Sequence, residues 1–184
     1  MRSICCTSIV ATLTLIGTSF AATINVPGDH ATIAAAISAS VNGDVINIAA
    51  GTYNESSLNP GGKAITIQGT LNGEGTLATT IDAQAAGSVF VMDSGEDAGT
   101  IIKHLVVTGG SSDFTGGGIN CSSNSSPTIT GCLISNNYAE FYGGGIYCYN
   151  SNPTITDCTI SSNTADDLGG GILYNHSSPT IIII

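Results

Sequence analysis

Three acids stand at a fixed distance from three triple glycines. Asp113, Glu140 and Asp166 each lie three residues before Gly116, Gly143 and Gly169. If the chain returns on itself at this period, three carboxylates stack about 4.8 Å apart on one bend. They repel one another unless a cation or solvent screens them. Oxygen ligands at that spacing, beside the carbonyls of a glycine turn, are a candidate Ca²⁺ site; the plain alternative is a solvated acidic edge. Phe114 and Phe141 come next in the same segments, and Tyr142 follows. These rings are candidate ligand-binding residues, flat faces on which a sugar can stack. The cysteines repeat too. Cys121 and Cys148 share the position three residues after the last glycine, and Cys132 and Cys158 share another. Stacking brings each pair's Cα atoms to about 4.8 Å, within the range a disulfide accepts. The alternative is a ladder of small buried thiols. Leu105 in the column of Cys132, and Tyr174 in the column of Cys121, support it.

Residues for bond-breaking chemistry are sparse. Asp166 and Asp167 are the adjacent acid pair, in a bend rather than a strand. Acid-base cleavage needs two carboxylates aimed at one bond. His104 falls in the column of Gly131 and Asp157, so it is expected to point outward. After Arg2, the basic side chains are Lys63 and Lys103. The composition of 3 Lys and Arg against 13 Asp and Glu gives a net charge of −10. That excludes a nucleic-acid partner, which needs cationic side chains for the phosphates, and an anionic membrane surface.

All these positions recur because the chain does. Pro127, Pro153 and Pro179 are 26 apart, and Ile102, Ile129, Ile155 and Ile181 follow at 27, 26 and 26. A fixed period of this length marks a stacked repeat. Helical repeats fail, since no segment carries a 3.6-residue apolar stripe and glycine interrupts each unit. Leucine-rich repeats fail because leucine is scarce. "GIYCY" and "PTITDCTI" read as short strands, with "NSN" and "SNTADD" as bends. The fold class is therefore all-β: a right-handed parallel β-helix, or β-solenoid, of about 26-residue coils with two or three strands each. Interior columns are expected at Ile119, Ile146 and Ile172; at Ile129, Ile155 and Ile181; at Leu105, Cys132 and Cys158; and at Val107, Ile134 and Ile160. The triple glycines sit where the backbone turns sharply or approaches its neighbour. Asn137 and Asn163 bond backbone amides or stack on each other at a bend. Thr128, Thr154 and Thr180 form one column rather than a two-column lattice, which argues against an ice-binding face.

Residues 1–21 read as a secretory signal peptide, with an apolar stretch from Ile4 to Ile16 too short to span a membrane. The domain is then 22–184, with irregular capping coils over 22–115 and regular repeats over 116–184. The segment Ala31 to Ser40 reads as a short helix that covers the open first coil. The closing "IIII" reads as a coil cut in mid-strand, the mark of a longer protein.

"INVPGDHATIAAAISAS", "NGDVINIAAGTYNES" and "AITIQGT" resemble the N-terminal region of secreted right-handed β-helix proteins of the pectin-lyase-like superfamily. "ISNNYAEFYGGGIYC" and "ISSNTADDLGGGILY" resemble the repeats of the polymorphic outer-membrane protein group, with Ile134 and Ile160 in place of the usual Phe. The resemblance implies the fold directly and the chemistry weakly, because the superfamily holds lyases, hydrolases, esterases and surface proteins. None of the family's catalytic motifs maps onto this chain, so no catalytic residue is named. The function expected is a secreted or cell-surface repeat domain, non-catalytic, presenting an extended face to an extracellular polysaccharide or a surface protein. The alternative is the N-terminal part of a polysaccharide lyase or pectinesterase-like enzyme whose site lies partly elsewhere.

Overall fold

The computed structural model describes residues 21–182. The signal-peptide reading falls outside them except for Ala21, and so do Ile183 and Ile184 of the closing isoleucine run.

The chain winds into a parallel β-helix of four strand ladders. The first face is a seven-stranded parallel sheet of Thr23–Val26, Val45–Ile48, Thr66–Gln68, Ile101–Lys103, Thr128–Thr130, Thr154–Thr156 and Thr180–Ile182. The second holds Gly51–Tyr53, Thr79–Asp82, Val106–Thr108, Leu133–Ser135 and Thr159–Ser161. The third is short: Ser111–Ser112, Tyr138–Ala139 and Thr164–Ala165. The fourth holds Phe90–Met92, Ile119–Cys121, Ile146–Tyr149 and Ile172–Asn175. The sequence reading had two or three strands per coil. The later coils have four, because a two-residue strand is too short to show alternation.

The expected columns pair in register. Ile129 lies between Ile102 and Ile155, Ile146 between Ile119 and Ile172, and Ile134 between Val107 and Ile160. Ile102, Ile119, Ile129, Ile134, Ile146 and Ile155 have no exposed surface. From Ile101–Lys103 onward, each bend between the first and second faces turns on one residue at positive φ: His104, Gly131 and Asp157 at 57°, 59° and 54°. His104 thus serves the turn.

The irregularity before Gly116 has a local cause. Between Thr66–Gln68 and Thr79–Asp82 the chain makes an excursion closed by an antiparallel Leu71–Leu77 bridge. The third ladder and its glycine turn begin only at Ser111–Ser112. The first-face ladder itself runs through unbroken.

The first face carries a second threonine column that the sequence reading overlooked. Thr130 pairs with Thr156 two residues on from Thr128 and Thr154, with a hydroxyl–hydroxyl hydrogen bond of 3.0 Å. Lys103 and Ile182 stop this column on either side.

The helix is Ile33–Ala39, and its buried face is Ile33, Ala36 and Ile37, packed against Thr23–Val26 and Val45–Ile48. Seven residues do not hold a helix by propensity, so both ends are tied. Thr32 Oγ1 accepts from Ala35 N, and the Glu55 carboxylate accepts from Ile33 N and Ala34 N at 2.8 and 2.9 Å. Lys63 Nζ donates to the carbonyls of Ile37 and Ser38 at the other end. Acid at the N-terminus and base at the C-terminus complement the helix dipole.

Asp44 ties the same end of the solenoid. Its carboxylate accepts from Val41 N at 2.9 Å and Ala22 N at 2.8 Å. The N–H groups of Val41 and Ala22 hold its carboxyl below the usual aspartate value. A depressed carboxylate adds stability above its unfolded value, about 3.9, and that stability is lost as pH falls through the lower folded value. Urea unfolding between pH 6 and pH 3, on the order of the carboxylate range, is expected to show an acid loss that is smaller in Asp44→Asn.

Candidate functional site

The triple glycines build the site. The first glycine of each turn sits at positive φ: Gly116, Gly143 and Gly169 at 65°, 65° and 71°. It also leaves room for the outward residue of the fourth face. A Cβ on Gly143 would lie 2.9 Å from Tyr147 Cβ, and one on Gly169 would lie 2.7 Å from Leu173 Cβ. The chain therefore folds back so tightly that Tyr142, just before the turn, faces Tyr147, just after it. The two rings stack with centroids 6.3 Å apart and planes 20° apart.

Coil stacking lengthens the feature. Thr115, Tyr142 and Leu168 form one column of bridges, and Asn120, Tyr147 and Leu173 pair in the facing one. Between them lies a groove of about 270 Å³ lined by Tyr142, Tyr147, Leu168, Leu173, Tyr174 and Asn175. Burial holds the Tyr147 phenol above its ordinary value, with Tyr149 and Tyr142 adding to it. It stays protonated and can donate. Beside the groove, Phe141 packs on Tyr142 at 6.1 Å and 49°, and Phe114 stacks on Phe141 at 6.2 Å and 21°. Phe114 is 70 % exposed. The sequence had marked Phe114, Phe141 and Tyr142, and they do come together. Tyr147 was missed: its partner lies across the turn, not at the same repeat position, so the period does not point to it.

The acids stack in register. Asp113, Glu140 and Asp166 each follow the last pair of the third ladder. Asp166 Oδ2 accepts from the Tyr138 hydroxyl. That bond, with the charges of Asp166, Glu140 and Asp113, raises the Tyr138 phenol. Among the described residues no group of three or more His, Cys, Asp or Glu side chains is placed to hold a metal ion. In the structure these acids stand as an acidic edge. The period aligns the backbones of these residues, whereas a cation site needs side chains that converge.

The cysteines meet as the register requires. Cys121 pairs with Cys148 between Met92 and Tyr174, and Cys132 and Cys158 stack beneath Leu105. All four are buried free thiols. A hydrogen bond that the Cys121 S–H donates to the Cys148 side chain, together with burial, pushes the Cys121 thiol well above its ordinary value. In the other pair the Cys158 side chain and burial push Cys132 up in the same way. Cys132 and Cys158 also aim their S–H groups at carbonyls, at 3.4 Å to Thr130 O and 3.2 Å to Thr156 O.

Asn137 and Asn163 form the expected ladder. Asn137 Oδ1 accepts from Gly110 N at 2.9 Å, and its Nδ2 donates to Val107 O and to Asn163 Oδ1 at 3.1 and 2.9 Å. This fixes the bend from which the third strand and its acids project.

Among the described residues no helix is long and apolar enough to cross a membrane. A family model described as right handed beta helix region matches residues 39–184. No curated protein and no solved structure matches the chain.

Proposed function

The chain belongs to the right-handed β-helix family, and from that premise we propose that it is a non-catalytic, secreted or cell-surface β-helix that binds a glycan in its ring-lined groove. The observation that carries this reading is the Tyr142–Tyr147 pair, stacked at 6.3 Å along the wall of the groove. Aromatic walls with a few polar groups are the usual make-up of a small-molecule site. The apolar face of a sugar ring packs on such a wall while its hydroxyls reach the phenols. The likeness of the triple-glycine repeats to those of the polymorphic outer-membrane protein group fits a surface setting. The enzymatic alternative, a lyase or pectinesterase-like protein, rests on the resemblance of the N-terminal stretch alone.

Affinity electrophoresis against a panel of soluble polysaccharides tests the proposal. At least one is expected to retard the protein. Tyr147→Ala is expected to weaken that retardation about tenfold, as loss of one stacked ring should, with an unchanged melting curve. Retardation equal in Tyr147→Ala and the parent would overturn the assignment to this groove.

A further inference from the structure

We propose, on the glycan-binding reading, that the ligand is a linear, uncharged oligosaccharide laid along a four-ring track that joins two pockets on adjacent coils. The rings are continuous. Phe114 stacks on Phe141, Phe141 touches Tyr142, and Tyr142 stacks on Tyr147, with centroids 6.2, 6.1 and 6.3 Å apart. Each step is of the size of one pyranose unit. Phe114 and Phe141 occupy the same repeat position on neighbouring coils, so the first step runs along the solenoid axis. The last step turns into the groove.

Each end of the track opens into a hollow. Tyr142 and Tyr147 line the groove of about 270 Å³. Phe114 lines a second pocket of about 410 Å³ with Asp113, Ser111, Ser112 and Gly87. This second pocket is polar where the groove is aromatic. A serine hydroxyl and a carboxylate beside an exposed ring suit a sugar edge and a sugar face together. A monosaccharide fills one hollow and leaves Phe141, which lines neither, without a role. A chain of about four units, one per ring, engages both, as successive bases do on aromatic platforms in single-strand binders.

Charge decides the class. Asp113 and Glu140 directly precede Phe114 and Phe141 in the chain, and Asp166 holds the same place on the next coil. The described chain has two cationic side chains, Lys63 and Lys103. Lys63 is held at the helix end, and Lys103 lies on the first face. No base faces the acids, so a uronate chain laid here meets like charge at every coil. A neutral chain meets acceptors for its hydroxyls.

Calorimetry on the full chain tests this, with neutral β-linked glucan, mannan and xylan oligosaccharides from about two to about six units, and oligogalacturonates of the same lengths. Affinity for a neutral series is expected to rise with length and level off near about four units. Oligogalacturonates are expected to bind at least about tenfold more weakly. Phe114 is so exposed that Phe114→Ala leaves the fold intact. It should lower affinity about tenfold for the longer chains and leave the disaccharide unchanged, whereas Tyr147→Ala weakens both. A disaccharide that binds as tightly as the longest chain, a Phe114→Ala variant equal to the parent, or acidic chains that bind equally well would overturn the track while leaving a glycan groove. Binding of none of the series would overturn the glycan reading itself.

Discussion

Gly144→Ala is expected to cost the protein more than about 4 kcal/mol, enough to lower the melting temperature by more than about 10 °C or to abolish soluble expression. A Cβ at this position would stand 2.1 Å from Thr164 O and 2.8 Å from Gly170 O. Both are backbone atoms of the next coil. Neither can step aside as a side chain tip would, because each belongs to a stacked coil. Gly144 N donates to Gly169 O at 3.2 Å, and Thr164 N donates to Asn137 O at 2.9 Å. Relief therefore means opening the contact between the third and fourth faces. Gly117 is in the same position one coil earlier, with Tyr138 O at 2.1 Å. Gly73 is the control, since a Cβ there meets nothing within 4 Å. Gly73→Ala should stay within about 0.5 kcal/mol of the parent. Thermal unfolding by circular dichroism, with soluble yield, compares the two. A Gly144→Ala protein that melts like the parent would refute the close approach.

This pair of glycines also marks how far the sequence could be read. The second and third glycines of each triple serve the stack, and a stack writes itself as a period, so Gly144, Ile146, Asn137 and the cysteine pairs were all legible at fixed intervals. A period compares a residue only with its own copies. Tyr142 and Tyr147 are not copies of each other, and the turn at Gly143 that joins them is visible only as geometry. The acids show the opposite limit. Asp113, Glu140 and Asp166 were correctly aligned, yet alignment of backbones says nothing of where carboxylates point, and one of them takes the Tyr138 hydroxyl. The helix was legible from Ile33 and Ile37, but not the ion pattern that holds it, because Glu55 and Lys63 arrive from the following coil.

Glu96 was silent in the sequence for a related reason: it stands in an irregular coil, where no repeat draws attention to it. It is 1 % exposed, the most buried of the charged side chains among the described residues. Its Oε1 accepts from Gly62 N at 3.0 Å, and its Oε2 accepts from Ser94 N at 3.1 Å and Ser125 Oγ at 2.7 Å. Three donors from three separate segments take the place of a counter-ion. A serine column continues from it: Ser125 N donates to Ser151 Oγ at 3.1 Å, and Ser151 N to Ser177 Oγ at 3.0 Å. Hydrogen bonds to a charged group are worth about 1.5–3 kcal/mol each, and a buried donor left without its acceptor costs a similar amount. Glu96→Ala is therefore expected to destabilise the protein by about 3–5 kcal/mol. Glu96→Gln keeps one acceptor but turns an amide N–H toward a donor, and should lose about 2 kcal/mol. Ser125→Ala removes one donor and the acceptor for Gly95 N at 3.1 Å, and should lose about 1–2 kcal/mol. Because Glu96 and Ser125 share a bond, the double variant should lose less than the two single losses together, by at least about 0.5 kcal/mol. Urea unfolding of the parent, Glu96→Ala, Ser125→Ala and the double alanine variant measures this. Strict additivity would mean that the carboxylate and the serine column hold their coils independently.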